Sequence, residues 1–133
     1  MGPVRVLVVD DSAVVRDRLA ALLSDLAGIE VVGTARDAPE GVAVARRVAP
    51  DAVVLDLRMP GGDGVAVLED IKARAPATVV VMLTNYTSEG HRARCLAAGA
   101  DHFLDKSTDL DRLADIFVDL ALLSPQSGED APS

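Results

Sequence analysis

The sequence predicts an α/β fold in which a parallel β-sheet is covered by helices on both faces, a doubly wound arrangement. Two observations carry this prediction. Valine-rich apolar runs alternate with segments of helical periodicity along the whole chain, and alternation of this kind is typical of a parallel sheet with right-handed crossovers. Most of the runs are apolar at consecutive positions, as in strands that are buried on both faces. The 133 residues fit one domain.

The strands are predicted from five apolar runs. The first four are too continuous for strands with one solvated face and are predicted to be buried on both faces, whereas the last is short and mixed, as an edge strand would be. In chain order they are Val4–Val9, Glu30–Ala35, Asp51–Leu57, Thr78–Leu83 and His102–Leu104.

The helices are predicted from apolar residues at spacings of three and four. Asp37 with Glu40, and Thr108 with Asp111, stand in capping-box spacing. Gly99 occupies the position that follows a helix C-terminus. The predicted helices are Ser12–Ala27, Asp37–Val48, Gly64–Ala75, Ser88–Ala98 and Thr108–Leu123.

The bulk properties limit the function. We expect one domain over residues 1–123, followed by a disordered tail over 124–133 that is rich in serine, proline and acidic residues. A formal net charge of −8 argues against direct binding of nucleic acid or of an anionic membrane. The N-terminus does not read as a signal peptide, no apolar run is long enough to span a membrane, and the single cysteine suits a reducing compartment. These features predict a cytoplasmic protein.

Polar residues follow the predicted strands at their carboxyl ends. Asp10 and Asp11 follow the first strand, Asp56 stands at the end of the apolar run of the third, Thr84 follows the fourth and Lys106 the fifth. The carboxyl ends of parallel strands share one edge of the sheet, where ligands bind at the point at which strand order reverses. We therefore expect these side chains to converge.

Three carboxylates in one cleft call for a counter-charge. Two unit charges about 4 Å apart repel by ~4 kcal/mol at an effective dielectric constant near 20. A hard divalent cation held by carboxylates, water and a phosphate oxygen is the usual Mg²⁺ arrangement. Lys106 supplies another positive charge and Thr84 a hydroxyl donor. This set meets the requirements of phosphoryl transfer, and a carboxylate can be the covalent acceptor.

The strand-end segments together resemble the response-regulator receiver domain over roughly Val4 to Leu123. The resemblance implies a flavodoxin-like (CheY-like) fold, with a five-stranded parallel sheet in the order 2-1-3-4-5, and a stand-alone single-domain receiver of a two-component or phosphorelay system. The segments that carry it are Val6–Ser12, Asp56–Gly64, Leu83–Thr84, Gly99–Asp101 and Phe103–Lys106.

The resemblance implies a role for each acidic residue. Asp56 would accept a phosphoryl group from a histidine kinase or a histidine phosphotransfer protein. Asp11, Asp56 and the backbone carbonyl of Arg58 would bind Mg²⁺ directly, and Asp10 would act mainly through a metal-bound water. The domain would catalyse only its own phosphorylation and dephosphorylation.

The resemblance also implies a switch. Lys106 and Thr84 would contact the phosphoryl oxygens, and Phe103 would turn inward when Thr84 moves toward the phosphate. The fourth helix, fifth strand and fifth helix would form the face that binds a downstream protein. We expect a monomer or a weak phosphorylation-dependent dimer.

Four positions beside the predicted site depart from the family or vary within it. Asn85 stands where a small residue is usual, and Ser107 replaces a common proline, which leaves open whether the Lys106–Ser107 bond is cis. Arg58 and Tyr86 occupy the variable positions that tune phosphoryl lifetime in the family. We predict a cation–π contact between them that slows hydrolysis by excluding water.

Alternative functions are weighed on the same residues. A phosphatase of the haloacid-dehalogenase type needs a second acid where Arg58 stands, and an FMN site would not tolerate Asp10 and Asp11 beside a phosphate. Asp10 could instead be a simple helix N-cap. A phosphorylation-independent adaptor stays open because of Asn85.

Overall fold

Strands and helices alternate along residues 2–123, the part of the chain that the computed structural model describes. The predicted tail over residues 124–133 lies outside the described residues. The strands are β1 (Val4–Val9), β2 (Ile29–Ala35), β3 (Ala52–Leu55), β4 (Arg58–Met59), β5 (Gly62–Asp63), β6 (Val79–Thr84) and β7 (His102–Asp105). The helices are α1 (Ala13–Ser24), α2 (Ala38–Val48), α3 (Gly64–Arg74), α4 (Glu89–Ala97) and α5 (Leu110–Leu123).

Five of the strands form one parallel sheet in the order β2-β1-β3-β6-β7. In terms of the five predicted strands this order is 2-1-3-4-5, so the predicted topology is confirmed. The last residue of β1, Val9, lies opposite Ala35 of β2 and Leu55 of β3. Strand order reverses between β1 and β3, so the residues that follow these two strands become neighbours at the carboxyl edge.

The apolar core consists of two clusters, one on each face of the sheet. Alternate residues of β6 enter different clusters, with Met82 in one and Leu83 in the other, as the period of two along a strand requires. Helices α2, α3 and α4 supply buried residues to the first cluster, and α1 and α5 to the second. Because both faces are covered, the central strands are apolar at consecutive positions, and the doubly wound prediction is confirmed.

Local capping sets where α1 and α2 begin. Ser12 is the N-cap of α1 and its Oγ accepts a hydrogen bond from the Val15 N–H at 3.2 Å, so Asp10 is not the cap. At α2, the Asp37 side chain accepts from the Glu40 N–H at 2.8 Å, as predicted. Glu40 returns a bond to the N–H of Arg36, one residue before the cap.

Two predicted helix boundaries are wrong. Helix α1 ends at Ser24 rather than Ala27, because the chain turns into β2 through Gly28, whose φ is +81°. Helix α5 begins at Leu110, so Thr108 is not its cap. A turn occupies that segment instead, in which the Asp109 N–H donates to the Asp105 carbonyl at 2.8 Å and the Asp109 carboxylate accepts from the Asp105 N–H at 2.8 Å.

The C-terminus of α4 is closed by the glycine predicted for that position. Gly99 has φ +109°. Its N–H donates to the Leu96 carbonyl at 3.1 Å, and the Ala100 N–H donates to the Cys95 carbonyl at 3.1 Å. These two bonds form a Schellman motif.

A short hairpin between β3 and α3 is absent from the sequence prediction. Arg58 of β4 pairs with Asp63 of β5 in antiparallel fashion. Pro60 and Gly61 form the connecting turn, where Gly61 has φ +82°, the geometry that favours proline followed by glycine in a type II turn.

Among the described residues, no helix combines the length and the apolarity that crossing a membrane requires.

Candidate functional site

Three aspartates meet at the carboxyl edge of the sheet because β1 and β3 are neighbours. Asp10 and Asp11 follow β1, and Asp56 follows β3. One carboxylate oxygen from each lies within 4.8 Å of the others. Asp10 and Asp56 are buried, at 1% and 5% exposure, while Asp11 is exposed. The structure therefore brings together the three acids that the sequence singled out.

Lys106 reaches these acids from the end of β7. Its Nζ donates to Asp10 Oδ2 at 2.7 Å and to Asp56 Oδ2 at 2.9 Å. Burial acts to lower the pKa of the Lys106 ammonium, but its hydrogen bonds and charge contacts with Asp56 and Asp10 outweigh this, and the pKa is raised. Lys106 is thus held in the charged form between two buried carboxylates.

The second oxygen of each buried carboxylate is held by the backbone. Asp10 Oδ1 accepts from the Ser12 N–H at 2.9 Å, and Asp56 Oδ1 accepts from the Leu57 N–H at 2.7 Å. Arg16 Nη1 also donates to the Asp10 carbonyl at 2.7 Å. Arg16 is a site residue that sequence reasoning missed; its only signal was a cation in the first turns of α1.

Thr84 and Phe103 lie on the neighbouring strands β6 and β7. Thr84 is fully buried, and its Oγ1 accepts from the Tyr86 N–H at 3.1 Å. The Thr84 carbonyl accepts from the Lys106 N–H at 2.9 Å. Phe103 is buried at 7% exposure, with the Arg92 guanidinium carbon 5.9 Å from its ring centroid.

The described residues contain no cis peptide bond, so Lys106–Ser107 is trans.

The rim of the site is formed by exposed residues of β4 and of the segment after β6, together with the partly exposed His91 of α4. The Arg58 guanidinium carbon lies 5.1 Å from the centroid of the Tyr86 ring, the contact that the sequence predicted. Tyr86 also meets the His91 ring edge to face at 5.9 Å. Asn85 is exposed beside them. His91, which was not among the residues that the sequence singled out, is therefore part of the rim.

Gly64 packs against the backbone of Asp56 and Leu57, and sequence reasoning gave it no role of its own. A Cβ at this position would lie 2.1 Å from the Asp56 carbonyl oxygen and 3.0 Å from the Leu57 Cα. The Gly64 N–H also donates to the Leu57 carbonyl at 2.6 Å. The start of α3 can approach the Asp56 backbone this closely only because Gly64 lacks a side chain.

The acidic cluster fits a hard divalent cation. The three carboxylates carry three negative charges and Lys106 one positive charge, so two negative charges are left uncompensated. Carboxylate oxygens are the ligands that Mg²⁺ prefers, with water completing its shell. Arg58, whose carbonyl the resemblance assigns to the metal, lies two residues past Asp56 in β4.

Comparison with known proteins agrees with this geometry. Residues 6–117 match the family model of the response regulator receiver domain. A protein-glutamate methylesterase/protein-glutamine glutaminase from Symbiobacterium thermophilum is 49% identical over 106 residues, which is 78% of this chain and 29% of the relative. The chain spans only 27–32% of the length of the curated relatives of this kind.

Solved structures resemble the whole described fold. The response regulator domain of Thermotoga maritima CheB has a TM-score of 0.78 at 30% identity and covers 98% of this chain and 99% of its own. The CheX–CheY–BeF₃–Mg²⁺ complex from Borrelia burgdorferi contains a chain with a TM-score of 0.77 at 30% identity, covering 88% of this chain and 91% of its own. With its sheet order, its strand-end acids and the matched residues 6–117, the chain belongs to the family of response regulator receiver domains.

Proposed function

We propose that this receiver domain accepts a phosphoryl group on Asp56 in a Mg²⁺-dependent reaction, from a histidine kinase or a histidine phosphotransfer protein. The observation that carries the proposal is the shared Lys106 ammonium, 2.7 Å from Asp10 and 2.9 Å from Asp56, beside the exposed Asp11. This arrangement supplies a carboxylate nucleophile, a fixed cation and a set of acids suited to a metal ion.

The transfer begins at Asp56 Oδ2. The Leu57 N–H holds Oδ1 and so fixes the orientation of the carboxylate, while Oδ2 attacks the phosphorus of a phosphohistidine. An O–P bond forms, the P–N bond breaks, and its electron pair leaves with the imidazole nitrogen. Lys106 then moves its bond from Asp56 Oδ2 to a phosphoryl oxygen and keeps its bond to Asp10.

Mg²⁺, held by Asp11, Asp56 and the Arg58 carbonyl with Asp10 acting through water, would neutralise charge on the transferring group. The protein's own part is positioning. Buried Asp10, after β1, holds the side chain of Lys106, which follows β7, in place by an ion pair. The Thr84 hydroxyl at the end of β6 would donate to the phosphoryl group once it turns from the Tyr86 N–H.

The output is a change in the face formed by α4, β7 and α5. Phe103 packs in the core beneath α4, so movement of Thr84 toward a phosphoryl group would alter its surroundings. On α5, Ile116 packs against the core and Leu123 is 81% exposed. A two-state element biased by a local charge is the general form of such a switch, and the expected ligand is a downstream protein.

The test is intact mass after incubation with Mg²⁺ and acetyl phosphate or phosphoramidate. We expect one phosphoryl adduct in the parent and none in Asp56→Asn. The exposed Asp119 on α5 gives the matched control. Asp119→Asn also replaces an aspartate by asparagine, but outside the strand-end acids, so the phosphoryl adduct should still form.

Two results would overturn the proposal. An adduct that persists in Asp56→Asn would place the modification elsewhere. No adduct in the parent with any small donor or phosphorylated histidine protein would favour the phosphorylation-independent adaptor instead.

The curated relatives suggest a second candidate for the output. Their names describe protein-glutamate methylesterases and protein-glutamine glutaminases, so the phosphorylated receiver would control an enzyme of that activity. The test is to measure the affinity of the phosphorylated and the unphosphorylated chain for the catalytic part of such a relative. Equal affinity in the two states would exclude control of that enzyme by phosphorylation.

A further inference from the structure

We infer that His91 is a positioning residue that holds Arg58 and Tyr86 together as a lid at the rim of the site. The lid is defined here as the side chains of Arg58, Tyr86 and His91. The inference deepens the proposed function, on which it rests, because it assigns control of phosphoryl lifetime to a residue of α4 outside the strand-end set.

His91 contacts both other members of the lid. Its Nε2 lies 3.5 Å from Arg58 Nη2, and its ring meets the Tyr86 ring edge to face at 5.9 Å and 76°. The Arg58 guanidinium in turn lies over the Tyr86 ring. The three side chains come from the segments after β3 and β6 and from the first turn of α4, so each is held by the other two across separate parts of the chain.

The hydrogen-bond chemistry selects one tautomer of His91. Arginine can only donate, so Nε2 must accept from Arg58 and the proton must reside on Nδ1. Nδ1 lies 2.9 Å from Ser88 Oγ, which accepts a hydrogen bond from the Nδ1–H. The same Oγ accepts the His91 backbone N–H at 3.3 Å as the N-cap of α4. The cap of α4 therefore fixes the ring that receives Arg58.

The consequence is a link between α4 and access to Asp56. Arg58 and Tyr86 stand two residues past Asp56 and Thr84 respectively, where they would limit the approach of water to a phosphoryl group. Both are exposed, with Tyr86 at 45%, and long exposed side chains lose considerable entropy when they are ordered. His91 offsets part of that cost with one fixed ring, so the closed lid is more populated.

The first test is the dephosphorylation rate of the phosphorylated full chain. We expect His91→Ala to accelerate it about two- to fivefold, the factor that corresponds to losing one exposed cation–π or aromatic contact. His91→Gln, whose amide oxygen can still accept from Arg58, should recover part of the lifetime. His102→Ala, at the other histidine of the chain, should match the parent.

Non-additivity distinguishes positioning from a separate effect. If His91 acts through the lid, Arg58→Ala combined with His91→Ala should dephosphorylate no faster than Arg58→Ala alone. An unchanged lifetime in His91→Ala, or multiplied rates in the double variant, would overturn the inference.

A second measurement does not require phosphorylation. Tyr86 is the only tyrosine and the chain has no tryptophan, so intrinsic fluorescence reports on the lid alone. Quenching by neutral acrylamide should increase in His91→Ala and Arg58→Ala but not in His102→Ala. Unchanged quenching in His91→Ala would refute the lid. Failure of the parent to accept phosphate would refute the proposed function, but the quenching measurement would still test the contacts of the lid.

Discussion

The side chain of Lys106 has the donor geometry that its place between Asp10 and Asp56 requires. An ammonium has three donors on one nitrogen, and two of them are used on carboxylates at 2.7 and 2.9 Å. When Asp56 Oδ2 takes a phosphoryl group, the donor that it releases can turn to a phosphoryl oxygen without loss of the bond to Asp10. A planar guanidinium spreads its donors over a rigid fork, so arginine would not serve three acceptors arranged around one point.

Gly64 carries the strictest steric requirement beside the site. In Gly64→Ala the new Cβ would meet the Asp56 carbonyl oxygen at 2.1 Å, and the contact is with backbone, which cannot rotate away. We expect the free energy of unfolding to fall by about 3 kcal/mol, the upper part of the range for overpacking, and the phosphorylation rate to fall as Asp56 is displaced. Urea unfolding and intact mass measure the two effects.

Gly90→Ala provides the control for that substitution. The nearest atom to a Cβ at Gly90 is 4.0 Å away, so the alanine fits. We expect the free energy of unfolding of Gly90→Ala to be unchanged or to rise by up to ~1 kcal/mol, because alanine has the higher helix propensity. Equal losses of stability at the two glycines would contradict the steric account.

Ser107 determines the ionisation of its neighbour Asp105. The Ser107 hydroxyl donates to Asp105 Oδ1 at 2.6 Å and its N–H at 2.8 Å. These bonds, the hydroxyl first, lower the pKa of Asp105 below its ordinary 3.8. In Ser107→Ala the pKa should rise toward 3.8, as an NMR titration of the Asp105 carboxyl carbon would show.

The lowered pKa of Asp105 also determines how the effect of Ser107 on stability depends on pH. A lowered folded pKa stabilises the fold above the unfolded pKa, and this stabilisation is lost as pH falls through the folded pKa. The stability difference between parent and Ser107→Ala should therefore be present at neutral pH and vanish in acid. Thr108→Ala is the matched control, because the Thr108 hydroxyl bonds Asp109 instead; a pKa shift of equal size there would contradict the assignment.

At the scale of elements, α1 depends on its cap. Ser12 Oγ accepts a hydrogen bond from the Val15 N–H at the first turn of the helix. Ser12→Ala should lower the free energy of unfolding by ~1 kcal/mol, measured by urea denaturation. The Ser12 N–H that holds Asp10 is backbone and remains, so phosphorylation at saturating donor should be unchanged. A variant as stable as the parent would show that the cap contributes nothing.

The sequence predicted elements well where one strong local signal dominates. Asp56 was identifiable because the apolar run Val53–Leu55 stops there, although the predicted strand was extended to Leu57 and β3 ends at Leu55. Gly99 was identifiable because glycine readily adopts the positive φ that follows a helix C-terminus. The hairpin of β4 and β5 was missed because two-residue strands carry no periodicity, although Pro60 and Gly61 are strong turn residues. Thr108 was misassigned since the competing turn depends on Asp109.

The tertiary contacts of the site were beyond sequence reasoning for a physical reason. Arg16 and His91 lie on helices, where a polar residue usually marks a solvated face. Only the packing of α1 and α4 against the sheet brings Arg16 to the Asp10 carbonyl and His91 to Arg58. Gly64 was hidden in the same way, because its neighbour Asp56 lies eight residues earlier in the chain.

Across the whole molecule, the two edges of the sheet carry different ion pairs. Lys106 holds two acids at the carboxyl edge. At the amino edge, Lys72 Nζ donates to the Thr78 carbonyl at 2.6 Å and to Asp101 Oδ2 at 2.8 Å. Asp101 also accepts from the Val80 N–H at 2.8 Å, so this lysine ties α3 to the start of β6 and to the turn before β7.

The separation of the edges gives a paired prediction. Lys72→Met should lower the free energy of unfolding by ~1–2 kcal/mol, since it removes charged hydrogen bonds that are only partly exposed, and leave the phosphorylation rate of Asp56 unchanged. Lys106→Met keeps the same side-chain volume but removes the cation from Asp10 and Asp56, so phosphorylation should fall steeply. Urea unfolding of both variants measures the change in stability, and the time course of the phosphoryl adduct by intact mass measures the phosphorylation rate. A slower phosphorylation in Lys72→Met would mean that the two edges are coupled through the sheet, and an unaltered rate in Lys106→Met would remove this lysine from the transfer.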